Sequence, residues 1–477
     1  MIIGLYLILT ALIATSLLFN RNKKVNYLMV TLFVAVQWIF TVFQFYYVNQ
    51  SQLEYFTADA IGLLLLTVLS LLNTTSAYYS FIYLEKRGDT AKQRSSYFAA
   101  YVVLIASITC AYLADHVAIA WIFVELTTLS SSVLIYHRRT ERTLEATWKY
   151  IFICSISVAL IFMGILLLGL AVQQAKIGDL YYSNMMKNAV KLDKFWLKSA
   201  FLFIFTGYTV KAGLVPMYTA GIDAKDKAPS PAAAIFSSAL MNVGFIGIFR
   251  MYAVVSKTNI VGWANTVMII SAISSIFIAA AYMIRVKSYK RMFAYSSIEH
   301  MGIVMLGLSM TGIGYFGAIL HVILHSFTKA ALFYQFGSVF RILKSKFIKE
   351  TGGYFEKNIS GALVLLLGFF MITAVPPSGM FVSEFMIFSS LFAKGYLWII
   401  VLVGILLTVI LWSFGENIFK LLFQKTGGEK EIKEPVEKIS PMEAAPQFLL
   451  LFLVIYLGFF PPAAMVNLIN AAIKLIH

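Results

Sequence analysis

Runs of about twenty apolar residues recur from one end of this 477-residue chain to the other, and no other feature constrains its folding as strongly. A helix needs that length to cross the hydrocarbon core of a bilayer. Inside the core every backbone N–H and C=O must be satisfied within the chain, so segments of this kind fold as helices. We count about fourteen spans: 1–19, 26–48, 59–84, 96–114, 117–136, 147–172, 196–217, 231–254, 262–284, 292–312, 313–341, 360–390, 395–422 and 445–472. The expected fold class is therefore all-α integral membrane. Charged residues make up 13% of the chain and hydrophobic ones 60%, against about 25% charged in soluble domains. The first run has no basic cluster ahead of it and no small-residue cleavage site, so it reads as a retained span rather than a signal peptide. Cys110 and Cys154 both lie in apolar runs and read as packing residues.

The net charge of +16 could suggest nucleic acid, but its placement argues for topology instead. When loops are assigned alternately to two faces, 27 of the 38 Lys and Arg fall on the face holding Arg21, Lys23 and Lys24. That face also carries Arg138, Arg139, Arg285, Lys287, Lys290 and Arg291. The opposite face collects 8, and Lys211, Arg250 and Lys329 lie inside or at the edge of spans. Basic residues concentrate on the cytoplasmic side, so the basic face is expected inside, both termini outside, and no nucleic-acid partner. No loop is long enough for a separate domain. The longest, 173–195, suits a short interfacial helix on the outer face, and the polar stretch 424–444 suits a cytoplasmic linker. The chain is expected to be a single polytopic membrane domain, 1–477, with a core at about 96–422. Nothing resembles a nucleotide-binding loop, a CxxC knuckle or a nucleophile elbow, so no cofactor, no metal and no redox centre is expected in this chain.

Two spans are interrupted alike. The seventh reads FTGYTVKAGLVPM, with Gly213 and Pro216 beside Lys211; the twelfth reads MITAVPPSGMFVSEF, with Pro376, Pro377 and Gly379 before Glu384. Proline removes a backbone donor and clashes with the preceding turn. Interrupted helices at corresponding positions point to two five-helix repeats of inverted topology, spans 4–8 and 9–13, with a transport path between them. The competing reading is that prolines simply kink membrane helices.

Ionisable side chains within spans are expensive and mark pathways. Glu125 lies mid-span and is followed by Thr127, Thr128, Ser130, Ser131 and Ser132; a structural hydrogen bond to a neighbouring helix is the alternative. A Glu125–Lys211 pair whose separation changes would act as a proton switch, because approach holds the lysine charged and separation lets it release. His321, His325 and Lys329 are spaced by four and share one helical stripe, and histidine titrates near neutral pH. Metal binding competes there, but no third ligand has suitable spacing and Lys329 would repel a cation. Glu384 mirrors Lys211 as a single charge beside a break, unless it lies at a span end in water. Glu299 and His300 could extend the axis or anchor packing with Ser296 and Ser297. Asp223, Lys225 and Asp226 are expected in a solvated cytoplasmic loop.

Together these stretches carry a resemblance. FVELTTLSSSVLI, TVKAGLVPMYTAGIDAKDKAPSPAAAIFSSALMNVG, KRMFAYSSIEHMG, LHVILHSFTKAALF and PPSGMFVSEF, in this order over residues 120–390, resemble the antiporter-like subunits of respiratory complex I. The same stretches resemble relatives in Mrp antiporters and membrane-bound nickel–iron hydrogenases. SSIEHMG and SALMNVG suggest the formate-hydrogenlyase type. The resemblance implies a hydrated proton axis through Glu125, Lys211, His321, His325, Lys329 and Glu384, with Ser237, Asn242, Glu299 and His300 as auxiliaries. It departs from the family pattern where a helix-eight base is replaced by Ser237, Ser238 and Asn242, where Ser288 precedes Lys290–Arg291, and where Val124 precedes Glu125. It also implies that the chain works in the bacterial or archaeal cell membrane, inside a multisubunit complex. The other membrane subunits and a peripheral redox arm would be its partners, and protons, or sodium in the complex, its cargo. An Mrp-type sodium/proton antiporter subunit and a non-conducting scaffold are the rival readings.

Overall fold

A computed structural model describes residues 2–424 and 439–476, so most of the stretch read as a cytoplasmic linker lies outside the described residues. The chain is helical almost throughout, with one small ladder pairing Ser51–Gln52 to Phe56–Thr57. In chain order the helices are α1 (Ile2–Phe19), α2 (Lys23–Gln44), α3 (Ala60–Arg87), α4 (Ala91–Leu113), α5 (Val117–Ile135) and α6 (Glu141–Gln174). Next come α7 (Tyr182–Lys187), α8 (Lys194–Ala212), α9 (Thr219–Lys227), α10 (Ser230–Ser237), α11 (Ala239–Ser256), α12 (Val261–Met283), α13 (Tyr289–Leu308) and α14 (Ile313–Leu343). The chain closes with α15 (Tyr354–Lys357), α16 (Ile359–Ile372), α17 (Gly379–Ala393), α18 (Leu397–Phe423), α19 (Ala445–Phe459) and α20 (Ala463–Ile476).

Among the described residues, 11 segments are long and apolar enough to cross a membrane by length and composition. The three expected spans outside that set are α8, α13 and the pair α16–α17. They are the segments that carry a break or several buried polar residues. The expected last span, 445–472, is cut short: α19 stops at Phe459, and Pro461–Pro462, lacking backbone donors, separate it from α20. In α20 the buried residues Ile469, Ala472 and Ile476 recur at helical spacing, the signature of a helix with one apolar face.

The single domain read from the sequence divides into two compact units. The first comprises residues 1–228, 239–270 and 463–477, and the second residues 229–238 and 271–462. Each contains one of the two interrupted helices.

In the first unit α6 and α8 cross at small residues. A Cβ on Gly207 would lie 2.8 Å from the Ser157 carbonyl, and one on Gly164 would lie 3.1 Å from the Ala200 carbonyl. Without a hydrophobic drive between helices in lipid, such backbone approach supplies the dispersion contact that holds them. Arg250 on α11 is buried, forms bonds of 3.0 and 3.2 Å with Asp59, and donates to the carbonyls of Tyr112 and Ala114 at the end of α4. Those carbonyls have no intrahelical partner, so Arg250 caps α4 while Asp59 balances its charge. The α8 break follows from Gly213, which closes the helix at φ 73°, ahead of the cis Val215–Pro216 bond.

In the second unit α14 is buried along nearly its whole length and runs through the interior. The α16–α17 break contains the cis Pro376–Pro377 bond. Ser378 staples it: its hydroxyl donates to the Met371 carbonyl at 3.1 Å and accepts from the Met380 N–H at 3.1 Å. The Met371 carbonyl also accepts from the Ala374 N–H at 3.1 Å, so the serine adds a second bond that ties the end of α16 to the start of α17 across the break.

Candidate functional site

The first unit places a cation where α8 breaks. Lys211, 4% exposed, is the second residue before Gly213, so its side chain leaves the last turn of α8 into the interior. Gly244 of α11 sits against this turn; a Cβ there would fall 2.2 Å from the Ala212 nitrogen. The Lys211 ammonium donates to Thr128 Oγ1 at 2.9 Å and to the Tyr150 hydroxyl at 3.2 Å, and lies 5.3 Å from the centre of the Tyr150 ring. Glu125 is half-buried one turn before Thr128, within hydrogen-bond reach of the Thr128 hydroxyl and in the field of Lys211. Glu125 and Lys211 therefore approach the same hydroxyl, that of Thr128, without a direct ion pair between them among the described contacts, and one carboxylate oxygen, Oε2, has no hydrogen-bond partner.

Lys225 corrects the sequence reading. It was expected in a solvated loop with Asp223 and Asp226, yet it lies on α9 and is 4% exposed, and Asp226 is buried as well. The break displaces α9 from the α8 axis but does not release it into solvent. Lys225 Nζ lies 3.1 Å from the Met241 sulfur, a weak acceptor for an ammonium. The first unit therefore holds two buried lysines, one among hydroxyls and one against a thioether.

The second unit gathers titratable groups from three helices. His321 of α14 contacts His300 of α13, Nε2 to Nδ1, at 3.1 Å. Its other nitrogen, Nδ1, lies 2.9 Å from the Ser383 hydroxyl on α17. Glu384 Oε1 is 3.9 Å from His300 Nδ1, and the His325 ring centre is 5.3 Å from that of His300. One turn further along α14, Lys329 donates to the Phe293 carbonyl at 2.8 Å and to the Ser296 hydroxyl. Glu299, buried on α13, sits in the fields of Glu384 and Lys329. Glu384 is itself 9% exposed, which removes the reading of a solvated residue at a span end.

His300, read from the sequence as an auxiliary, is the group that His321, His325 and Glu384 all approach. Helical spacing within α14 could not show this, because His300 comes from a different helix. Ser383 and Tyr150 were not singled out at all. The signal for Tyr150 lay in WKYIFICS, where Tyr150 and Cys154 share a face four residues apart. Of the hydroxyl and amide residues put in place of a helix-eight base, Ser237 ends α10 in the second unit with a buried hydroxyl that has no partner, whereas Asn242 lies buried in the first.

No metal was expected, because His321 and His325 lacked a third ligand of suitable spacing. The structure gathers a different trio, without His325: His300, His321 and Glu384 each bring one ligand atom within 4.8 Å of the others. Two imidazole nitrogens and one carboxylate oxygen would suit a transition metal. In this structure two of those atoms hydrogen-bond to each other, an arrangement suited to exchanging a proton.

Residues 114–411 match the family model described as NADH:quinone oxidoreductase/Mrp antiporter, transmembrane. The chain belongs to this family. A relative, the hydrogenase-4 component F homolog of Methylacidiphilum infernorum, is 28% identical over 84% of this chain and 84% of its own. A solved chain of the archaeal membrane-bound sulfane sulfur reductase superposes with a TM-score of 0.85 at 21% identity, covering 100% of this chain and 96% of its own. A chain of the Mrp complex from Dietzia sp. gives 0.79 at 17% identity, covering 98% and 92%. Both belong to membrane complexes, and this chain, a member of the NADH:quinone oxidoreductase/Mrp antiporter family with 11 candidate spans among its described residues, is a multi-pass, antiporter-like membrane protein.

Proposed function

We propose that this chain moves protons within a redox-driven membrane complex of the hydrogenase or complex I kind. The observation that carries the reading is the buried contact His300–His321–Ser383 with Glu384 beside it. Each imidazole has one nitrogen that donates and one that accepts, so a proton arriving on one side of the pair leaves on the other when the tautomers switch. Lys329 is the fixed positive neighbour whose charge biases that exchange. In the first unit Lys211 is the switch. With its ammonium held by Thr128 and Tyr150 and its countercharge one hydroxyl away, a small change in the Glu125 distance alters how firmly it keeps its proton.

No redox centre is assigned to this chain; electron transfer would reside in a peripheral arm, with the coupling carried to these buried charges. The basic loops are assigned to the cytoplasm and both termini to the outside of a bacterial or archaeal cell membrane. Proton uptake by vesicles holding the intact complex tests the reading. Loss of pumping in Glu125→Gln and Lys211→Met, with electron transfer retained, supports it; undiminished pumping sinks it and leaves a scaffold. A second reading, sodium/proton exchange in an Mrp-type assembly, draws on the likeness to the Mrp chain. It requires pumping to depend on sodium and to persist without a redox donor.

A further inference from the structure

The groups that meet where α13, α14 and α17 converge are spaced as metal ligands. His300 Nδ1 is 3.1 Å from His321 Nε2 and 3.9 Å from Glu384 Oε1, and the trio offers three ligand atoms within 4.8 Å of one another. Ligands at about 2.1 Å from a tetrahedral ion stand about 3.4 Å apart. The imidazoles need only part slightly, and the carboxylate close in, for an ion to sit between them.

A metal-bound histidine donates its other ring N–H to a fixed acceptor, and both rings have one. The Ser383 hydroxyl donates to the Met380 carbonyl at 2.9 Å, so it can accept the His321 Nδ1–H, also at 2.9 Å. That leaves the Nε2 lone pair of His321 facing the site. The Ile372 carbonyl adjoins the His300 ring. Its helical donor would come from Pro376, which has no N–H, so the break between α16 and α17 frees this carbonyl for the ring.

We infer that His300, His321 and Glu384 bind a divalent transition-metal ion of the zinc kind, with water in the fourth position. Two imidazoles and one carboxylate are a ligand set of open zinc sites. The ion takes the lone pairs of His300 Nδ1, His321 Nε2 and Glu384 Oε1. The His300 ring proton moves from Nδ1 to Nε2, an atom without a hydrogen-bond partner in this structure, and any proton held by Glu384 leaves. Repulsion from Lys329 is reduced by its position roughly 12 Å further along α14 than His321; its ammonium turns to the Phe293 carbonyl and the Ser296 hydroxyl. If the relay reading holds, on which this consequence rests, the ion replaces the hydrogen shared by the imidazoles and blocks the path.

Co²⁺ binding by the intact complex tests the site, read as the difference absorption of four-coordinate cobalt, a signal that does not depend on proton movement. The wild type is expected to take up one more equivalent with this spectrum than His300→Gln/His321→Gln, and Zn²⁺ to displace it. Ser383→Ala, which removes only the acceptor on His321, is expected to weaken the affinity roughly tenfold to a hundredfold. Lys211→Met, in the first unit, is expected to leave it unchanged. Co-purification of each variant with the rest of the complex checks that it has folded. Three results overturn the site: no such spectrum in the wild type, the same spectrum in the double variant, or an equal loss in Lys211→Met. Cobalt bound at these residues without slowing proton uptake upholds the site and sinks the relay reading instead.

Discussion

The two units solve the same problem, an ionisable group held inside a membrane protein, in opposite ways. Apart from the Arg250–Asp59 pair that caps α4, the first spaces its charges out. Lys211 rests on two hydroxyls, Glu125 stands one hydroxyl away, and Lys225 lies apart against a methionine. The second crowds them, with His300, His321, Ser383 and Glu384 meeting within hydrogen-bond or near hydrogen-bond distance. Spaced charges are sensitive to small movements, because the interaction between them changes with distance in a medium of low dielectric. Crowded imidazoles pass a proton with little movement at all. Under the proposed function, the first unit is built to switch and the second to conduct.

The largest effect is expected where the switch is a single residue. Lys211→Met should lower proton pumping by the intact complex roughly a hundredfold or more, the lower part of what a positioned proton-transfer group contributes. Lys211→Arg sharpens the point. Arginine keeps the charge and the hydrogen bonds but does not release a proton, so the same loss identifies a carrier, and retained pumping would reduce Lys211 to an electrostatic anchor.

In the crowded unit the losses should not add. His321→Gln is expected to lower pumping roughly tenfold to a hundredfold, and His300→Gln by a similar factor. If the two imidazoles act as one relay, the double variant His300→Gln/His321→Gln is no worse than either single variant, as for groups that work as a unit. Independent, multiplying losses would show two separate paths and break the contrast between the units. Pumping rates of the three variants in the same vesicles decide between these outcomes.

Lys225→Met asks whether the first unit has one working lysine or two. A loss of about tenfold is expected if Lys225 passes protons toward the interior; an unchanged rate would assign its burial to packing against Met241.

The sequence carried the membrane fold, the two broken helices and most of the ionisable residues, because each of these is local: an apolar run, a proline beside a glycine, a charge inside a span. It did not carry the assembly of His300, His321 and Glu384, which come from α13, α14 and α17 and share no sequence spacing. Lys225 was misread for a related reason. DAKDK has the composition of a solvated loop, and the packing of α9 against α6, with Met241 of α11 over Lys225, buries it. The last span was overextended because Phe459 to Ile469 stays mostly apolar across the Pro461–Pro462 stop.

The smallest predicted effect tests the hydroxyls, which the two units use differently. Thr128 engages Lys211 and Glu125, whereas Ser383 is one contact of a histidine that has another. Thr128→Val preserves volume and removes the hydroxyl. It leaves Tyr150 as an acceptor for the ammonium, so a net loss of ~1 kcal/mol, about fivefold in rate, is expected. Ser383→Ala leaves the His300–His321 contact in place and should lower the rate less, by about twofold. The order matters more than the sizes. If Ser383→Ala proves the more damaging, proton transfer in the second unit runs through the serine toward α17, and the imidazole pair is a reservoir beside that route.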